Sequence, residues 1–568
     1  MAKYYKKSRI QYVQSHWGKD FSDIRKEELS FRDTENHFVS MMKRADWILD
    51  DQTWNDLEMN EVYCKMDRAY SKPGAQVLYN ELRTPVFDEK ELKRRDRVMD
   101  YILHHQEQRD KLGCIFYSLG RSEYDGACSL LFKGIPKLPE YASWTNTLAI
   151  LMLISLISIP FFKLSGLMFA VIMFVVNTFY HQKLNRRTEA AMPGVRYIAS
   201  MIDAAEEIAN LQIPQLEADY GDFFQKCAKK CAPLRKKAGV FGGGGGGDLA
   251  GLLEYIQILF LVEDRAYIRC TNLLEEYAPV LRVLYRKLGE LDALMAVASF
   301  RRGLRRSAKP VFVEEPQVLR VENIIHPLLE REGVANSLTV EQKNVVITGS
   351  NMSGKSTFLR TIATGALMAQ TFYTVCADSY EASFFNIVTS ISPSDDLMGG
   401  KSYYMAEAEA LLRMLRVVEE KRTSLLIVDE IFRGTNPIER VAAASSLLRY
   451  LGERNTLVIV ATHDIEITNK VADQYDSYHF GENVTKEQLD FDYTLKRGVL
   501  KAPNGIRILE YLGYPEEITE EAYKETGYVG AQPALESEAV PDEGSGEENV
   551  TEAGPMAAEE KEDGENAG

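Results

Sequence analysis

The chain has 568 residues, a length that suggests roughly three or four domains, and its 45% hydrophobic content is enough for buried cores. Its net charge is −16, but the stretch from Glu536 to Gly568 holds twelve acidic residues against one Lys. The rest therefore carries only about −5, which excludes the overall basic signature of a nucleic-acid binder, though not a local basic patch.

Met1 to Lys7 is basic with no apolar run behind it, so no cleavable signal peptide is expected. Residues 1–45 are charged and aromatic with helix-like spacing. The stretch Asp51-Gln52-Thr53-Trp54-Asn55-Asp56-Leu57 reads as a turn that starts a helix, and Pro73-Gly74 punctuates two helices. Glu89 to Leu119 is charged and periodic, with Leu92, Val98, Ile102 and Leu112 on one face, and reads as one amphipathic helix. Seven Cys (64, 114, 128, 227, 231, 270 and 376) contain no CxxC pair. Cys227 and Cys231 share a helix face but lack a nearby His, so all seven read as reduced thiols of a cytosolic region.

Residues 144–182 change character. Trp144 to Phe162 and Leu164 to Gln182 are two runs of 19 residues without formal charge, separated at Lys163, Ser165 and Gly166. Each would span about 28 Å as a helix, close to the hydrocarbon thickness of a bilayer. Trp144, Phe179 and Tyr180 sit near the outer ends. Lys133, Lys137, Lys183, Arg186 and Arg187 flank the pair, whereas its tip carries only Lys163. This predicts a transmembrane helical hairpin with both flanks in the cytoplasm, and hence a multi-pass membrane protein with two spanning helices. A buried or dimerising hairpin in a soluble protein is the competing reading.

Beyond it, Ala190 to Leu211 and Leu249 to Leu288 read as helices, joined across a flexible linker at the glycine run 242–247. Arg301, Arg302, Arg305 and Arg306 form a short basic cluster that reads as a solvated connector, a nucleic-acid patch being the alternative. From Pro310 the pattern becomes α/β. Short β-branched runs at 344–348, 424–428 and 456–460 suit a parallel sheet covered on both faces. After about residue 530 the composition is acidic and Pro/Gly/Ala-rich, as in disordered tails.

The chemistry is concentrated in the α/β part. Gly349-Ser350-Asn351-Met352-Ser353-Gly354-Lys355-Ser356-Thr357 fits GxxxxGK[ST] between a strand and a helix. Such a loop surrounds phosphates with backbone N–H groups; Lys355 would reach the β/γ-phosphates and Ser356 would hold Mg²⁺. Leu425 to Val428 is an apolar strand ending in Asp429-Glu430. There Asp429 would bind Mg²⁺ through water and Glu430 would orient the attacking water. His463 follows the strand ending at Val460-Ala461 and would contact the γ-phosphate or the water. The loop Ser394 to Ser402, ahead of a helix containing Met405 and Leu411, could bind phosphate from a partner subunit through Ser402.

Together these motifs resemble the MutS family of DNA mismatch repair ATPases. The glycine loop is similar to the family's Gly-Pro-Asn-Met-Gly-Gly-Lys-Ser-Thr. Asp429-Glu430-Ile431-Phe432-Arg433-Gly434-Thr435 resembles its Asp-Glu-Ile-Gly-Arg-Gly-Thr. The likeness extends to Ser394–Met405, Ala461-Thr462-His463 and Leu509-Glu510-Tyr511-Leu512-Gly513-Tyr514-Pro515, and more loosely to residues 45–120. It implies an α/β P-loop NTPase domain of the ABC-type ATPase class at 310–529, closed by a helical dimerisation segment. This domain would follow a mostly α-helical lever domain at 46–143 and 183–309, which carries the hairpin at 144–182. The N-terminal segment 1–45 and the acidic tail 530–568 complete the organisation. The resemblance implies ATP and Mg²⁺ as cofactors and a homodimer with composite ATP sites, Ser402 of one subunit approaching the nucleotide of the other. It also implies an association with DNA. The family's Phe-x-Glu wedge motif, its clamp domain and its nuclease domain are not recognisable. A membrane-anchored nucleotide-driven switch that does not bind DNA is therefore the alternative. His326-Pro327 resembles the family's Arg-His-Pro, but Arg331 to Asn336 lacks the aromatic that usually stacks on adenine.

Overall fold

The computed structural model describes residues 4–28, 31–42, 45–121, 126–242, 256–350, 352–391, 403–418, 422–484, 489–499 and 505–526. The chain divides into two units at Gly505/Ile506. The first comprises a helical N-terminal region and an α/β region. In the second, Glu516–Thr526 follows the helix Gly505–Tyr511, and Tyr523 donates a hydrogen bond to Glu510.

The strands among the described residues are β1 (Val311–Phe312), β2 (Leu319–Ile324), β3 (Asn336–Val340), β4 (Asn344–Thr348), β5 (Ser379–Ala382), β6 (Asn386–Ser390), β7 (Ser424–Asp429), β8 (Thr456–Ala461), β9 (Tyr475–Val484) and β10 (Leu489–Arg497). They form a small sheet of order β1-β5-β2-β3 and a large one of order β10-β9-β4-β8-β7-β6. In the large sheet β9, β4, β8, β7 and β6 run parallel and β10 closes the edge antiparallel. Every residue of β4, β6, β7 and β8 is buried. Two-sided burial explains why these strands read as unbroken β-branched runs. The helix Lys355–Phe372 covers one face, within an apolar core continuous with the helical region; Pro437–Gly452 helps cover the other.

The helical region is organised on a helix of 42 residues, Val262–Gly303. It extends well past the predicted end at Leu288, because Leu291, Leu294, Val297 and Phe300 continue the buried stripe. Arg301 is consequently not part of a solvated connector. It is buried, pairs with Asp96 at 2.7 Å, and donates to Thr374 Oγ1 and to the carbonyls of Phe372 and Tyr373. The single helix expected over Glu89–Leu119 is two, Glu89–His104 and Gln106–Leu119; His105 leaves the helical region of backbone space at φ −114°, ψ 81°. Pro73-Gly74 lies inside the first turn of Lys72–Arg83, where Pro's missing N–H costs nothing and Ser71 caps Gly74 N. All seven Cys are buried and free.

The start of the helical region grips the large sheet. Asp50 caps Asp51–Asp56 by accepting from Thr53 N. The Asp56 carboxylate accepts from Thr389 Oγ1 (2.7 Å) and Ile391 N (3.0 Å) at the end of β6, and Arg413 joins Asp50 to the Thr389 carbonyl.

The apolar runs form two helices, Thr145–Phe162 and Leu164–Thr188. The break is a single residue, Lys163 at φ +48°; Ser165 and Gly166 lie in the second helix. Gly166 is required where it sits, since a Cβ there would stand 2.7 Å from the Ser158 carbonyl oxygen. Ile150, Ile154, Ile157, Phe161, Leu164 and Phe179 are exposed. Of the linker 242–247 only Gly242 is described, and the tail 530–568 lies outside the described residues.

Candidate functional site

The glycine loop runs from the C-terminal end of β4 into the helix Lys355–Phe372. Two of its glycines are fixed by backbone conformation. Gly349 has φ +147°, and a Cβ there would meet Ser353 Oγ at 2.8 Å and the Phe480 carbonyl at 3.0 Å. Gly354 caps the helix at φ +101°, with Tyr493 packed against it. Lys355 is buried, and its Nζ donates to the carbonyls of Gly349 and Ser350, both at 2.7 Å. Its ammonium is thereby folded back over the loop. Ser353 Oγ donates to Ser350 O at 2.8 Å.

The strand order brings three predicted elements to the same edge. β8 lies between β4 and β7, so His463 leaves the sheet between the glycine loop and Asp429-Glu430. The crossings are stitched by backbone bonds, Thr462 N to Ile347 O and Glu430 N to Ala461 O, each 2.9 Å. Ser356 Oγ donates to Asp429 Oδ2. Burial pushes the Asp429 carboxyl up despite that bond and nearby Lys355. Glu430 adopts φ +59°, a left-handed conformation unusual for Glu. Its carboxylate pairs with His463 Nδ1 at 2.6 Å and with Arg433 at 2.9 Å. Burial opposes ionisation of Glu430, but these two cations outweigh it and hold its pKa down to about 2. The hydrogen bond to Glu430 raises His463 in turn, against its partial burial. His463 remains half exposed, and its Nε2 has no hydrogen-bond partner among the described residues.

The turn after Glu430 is clamped from the side. Phe432, where the resemblance has Gly, also has a left-handed φ of +56° and packs on Tyr404 with ring centroids 5.9 Å apart. Glu407, buried in the helix Tyr403–Val418, accepts from the backbone N–H groups of Arg433 and Gly434, each at 3.2 Å. Burial raises the Glu407 carboxyl. Glu407 closes the sequence motif that begins at Ser394, but the sequence assigns it no role.

A cavity of about 320 Å³ opens beside Gly354, Ser356 and Thr357, walled by His326, Val334, Phe480 and Tyr493. Tyr493 lines this cavity from a bulge in β10, and its carbonyl accepts from Asn336 Nδ2 at 3.0 Å. His326 Nδ1 accepts from Leu328 N, which leaves the proton on Nε2, and that buried nitrogen has no partner among the described residues. Burial lowers the His326 pKa to about 4, so the ring is neutral at physiological pH.

Gly349, Ser350, Ser353, Gly354, Lys355, Ser356, Thr357, Asp429, Glu430 and His463 therefore meet at one edge of the sheet, with Met352 exposed on its rim. Asn351 and Ser402, with the stretch 392–402, lie outside the described residues. Among the described residues there is no cluster of three His, Cys, Asp or Glu able to hold a metal. Ser356 Oγ and Asp429 form an all-oxygen pair at a helix N-terminus, which fits Mg²⁺, an ion that takes its remaining ligands from phosphates and water.

Residues 345–529 match the MutS domain V family. The DNA mismatch repair protein MutS of Thermus thermophilus is 35% identical over 265 residues, 46% of this chain and 32% of the relative. Those of Natronomonas pharaonis and Lactobacillus acidophilus are 31% identical over 276 and 274 residues, again 46% of this chain and 32% of each relative. The chain thus spans about a third of the length of the curated relatives it matches.

Proposed function

We propose, on the premise that this chain is a MutS-family protein through its C-terminal half, that it is a membrane-anchored, Mg²⁺-dependent ATP hydrolase with a P-loop. The observation that carries the reading is the contact of Ser356 with Asp429 beside the Glu430–His463 pair. On this reading the first pair binds the cation and the second positions the water, both beside one phosphate loop.

On this reading Lys355 exchanges its two carbonyl partners for the β/γ-phosphate oxygens. Ser356 and Asp429 hold Mg²⁺, which supplies charge neutralisation at the phosphates. Glu430, held ionised by His463 and Arg433, orients or polarises the attacking water. Glu430 also fixes the His463 ring, whose Nε2 is directed to the γ-phosphate or the water. The base occupies the cavity against Tyr493, where the His326 Nε2–H donates to a ring nitrogen. The family relationship supports a homodimer with composite ATP sites, Ser402 of one subunit approaching the nucleotide of the other.

The hairpin at 144–182 is proposed to cross the membrane, with the N-terminus and the ATPase domain in the cytoplasm. Its two apolar windows, within Glu140–Phe162 and Leu164–Arg186, are each only 22% buried, whereas the core helix of a soluble protein would be mostly buried. Phosphate release by the purified full-length chain, with Lys355→Ala as the blank, tests the ATPase. Mg²⁺-independent or Lys355-independent turnover would refute it.

The relatives' name, DNA mismatch repair protein, supports an association with DNA; the exposed hairpin favours a membrane switch that does not bind it. DNA affinity across a salt series separates the two. A phosphate-contacting binder shows a steep negative salt slope, and no binding at low salt eliminates the DNA reading.

A further inference from the structure

We infer that the base of the hairpin carries a binding site for the phosphate of an anionic phospholipid headgroup, formed by Arg265 and Arg269. The inference rests on the membrane reading of residues 144–182. A cavity of about 280 Å³ lies where the first hairpin helix begins, lined in part by Pro139, Glu140, Ser143, Asn146, Arg265 and Arg269. Arg265 and Arg269 are one turn apart on the long helix and line the same cavity. Arg265 Nε donates to the neutral Asn146 Oδ1 at 3.1 Å, and Arg269 makes no ion pair or hydrogen bond among the described residues. The opposing charge in the cavity wall is Glu140, and the two arginines outnumber it.

The depth is also right. Thr145 at the start of the first hairpin helix bonds to Tyr180 near the end of the second. His181 pairs with Asp264 at 2.8 Å, and Asn177 donates to Leu259 O at 2.8 Å. Arg265 therefore lies level with the helix ends, about 27 Å along the axis from the Lys163 tip. That is where headgroups meet an embedded hairpin of this length. The segment that carries Glu140 and Ser143 is tied to the second hairpin helix: Tyr180 Oη donates to Tyr141 O at 3.0 Å, and Lys183 lies 4.7 Å from the Tyr141 ring centre. Exposed Trp144 stands beside it, as interfacial aromatics do.

The test uses the full-length chain reconstituted into vesicles of equimolar phosphatidylglycerol and phosphatidylcholine, re-extracted in mild detergent, with retained lipid counted by mass spectrometry. The wild type should retain phosphatidylglycerol preferentially. Arg265→Gln/Arg269→Gln should lose that preference roughly thirtyfold while still floating with the vesicles. Arg269→Gln alone, at an exposed position, should lose part of it, and Glu140→Gln should increase it. Equal retention by wild type and the double variant overturns the site while leaving the hairpin embedded. Displacement of the lipid by matched inorganic phosphate shows a free-anion site and also overturns it. A chain that does not float with the vesicles overturns the membrane reading itself, and the headgroup site with it.

Discussion

Arg301 offers the sharpest test of how the helical region is joined to the nucleotide site. Its guanidinium lies where the long helix meets the C-terminal end of Lys355–Phe372, the helix that starts at the glycine loop. Arg301→Ala removes the 2.7 Å pair with Asp96, the bond to Thr374 Oγ1 at 2.6 Å and two carbonyl contacts at 3.2 and 3.3 Å. Breaking a buried ion pair by deleting one partner costs about 3–5 kcal/mol, because the other charge is stranded. Asp96 keeps Lys309 at 2.8 Å, which places the expected loss at the lower end, about 3 kcal/mol. Arg301→Lys retains the charge but not the fork, and should lose about 1–2 kcal/mol with the hydrogen bonds it cannot remake. Urea unfolding in detergent, followed by tryptophan fluorescence, reads both. A loss below about 1 kcal/mol for Arg301→Ala, or equal losses for the two variants, would refute the argument that the fork stitches the two regions together.

Glu430→Gln should bind ATP and hydrolyse it at least about a hundredfold more slowly, since the amide cannot hold an ionised partner for His463; single-turnover phosphate release reads this, and an active variant removes Glu430 from the water site. The stability difference between wild type and His463→Gln should be largest between about pH 4.5 and 6.5. Glu430 has its folded pKa depressed from 4.5 to about 2, so its contribution is full above 4.5 and fades as pH falls through 2. His463 is raised from 6.5, so its contribution is full below 6.5 and fades as pH rises through the higher folded value. His463 is half exposed and the effect should be modest; a difference flat with pH contradicts the pairing. Gly74→Ala should destabilise by about 3 kcal/mol, because the new Cβ would stand 2.2 Å from Asp292 Oδ2 and displace the buried bonds from Ser71 to Asp292. Thermal unfolding of this variant should match that of Ser71→Ala combined with Gly74→Ala if the same bonds are lost.

The residues that converge from one sheet edge were legible in the sequence because each stands at or just past the end of a short strand with an apolar middle. β4, β7 and β8 announce themselves, and what stands at their ends is Gly349, Asp429 and His463. What escaped notice shares a physical cause. Arg301 reads as solvent-facing because charge is usually solvated, and only its distant partners Asp96 and Thr374 reveal otherwise. Tyr493 lines the cavity beside the glycine loop from 139 residues beyond Gly354, so no local pattern could nominate it. Phe432 holds a left-handed backbone without the glycine that would advertise it. The break at His105 carries no Pro or Gly, and helical periodicity runs straight through it.

The long helix also has a mechanical meaning. Its 42 residues make a rod of about 63 Å, anchored at one end by Arg301 and meeting the hairpin near Asp264 at the other. A tilt of about 5° at the anchored end would swing the far end by about 5 Å, the pitch of one helical turn. A displacement too small to disturb packing around Thr374 thus becomes, at the hairpin, a movement comparable to the width of a side chain. The rod has the proportions of a displacement amplifier, and the His181–Asp264 pair is the coupling through which its output would reach the apolar pair.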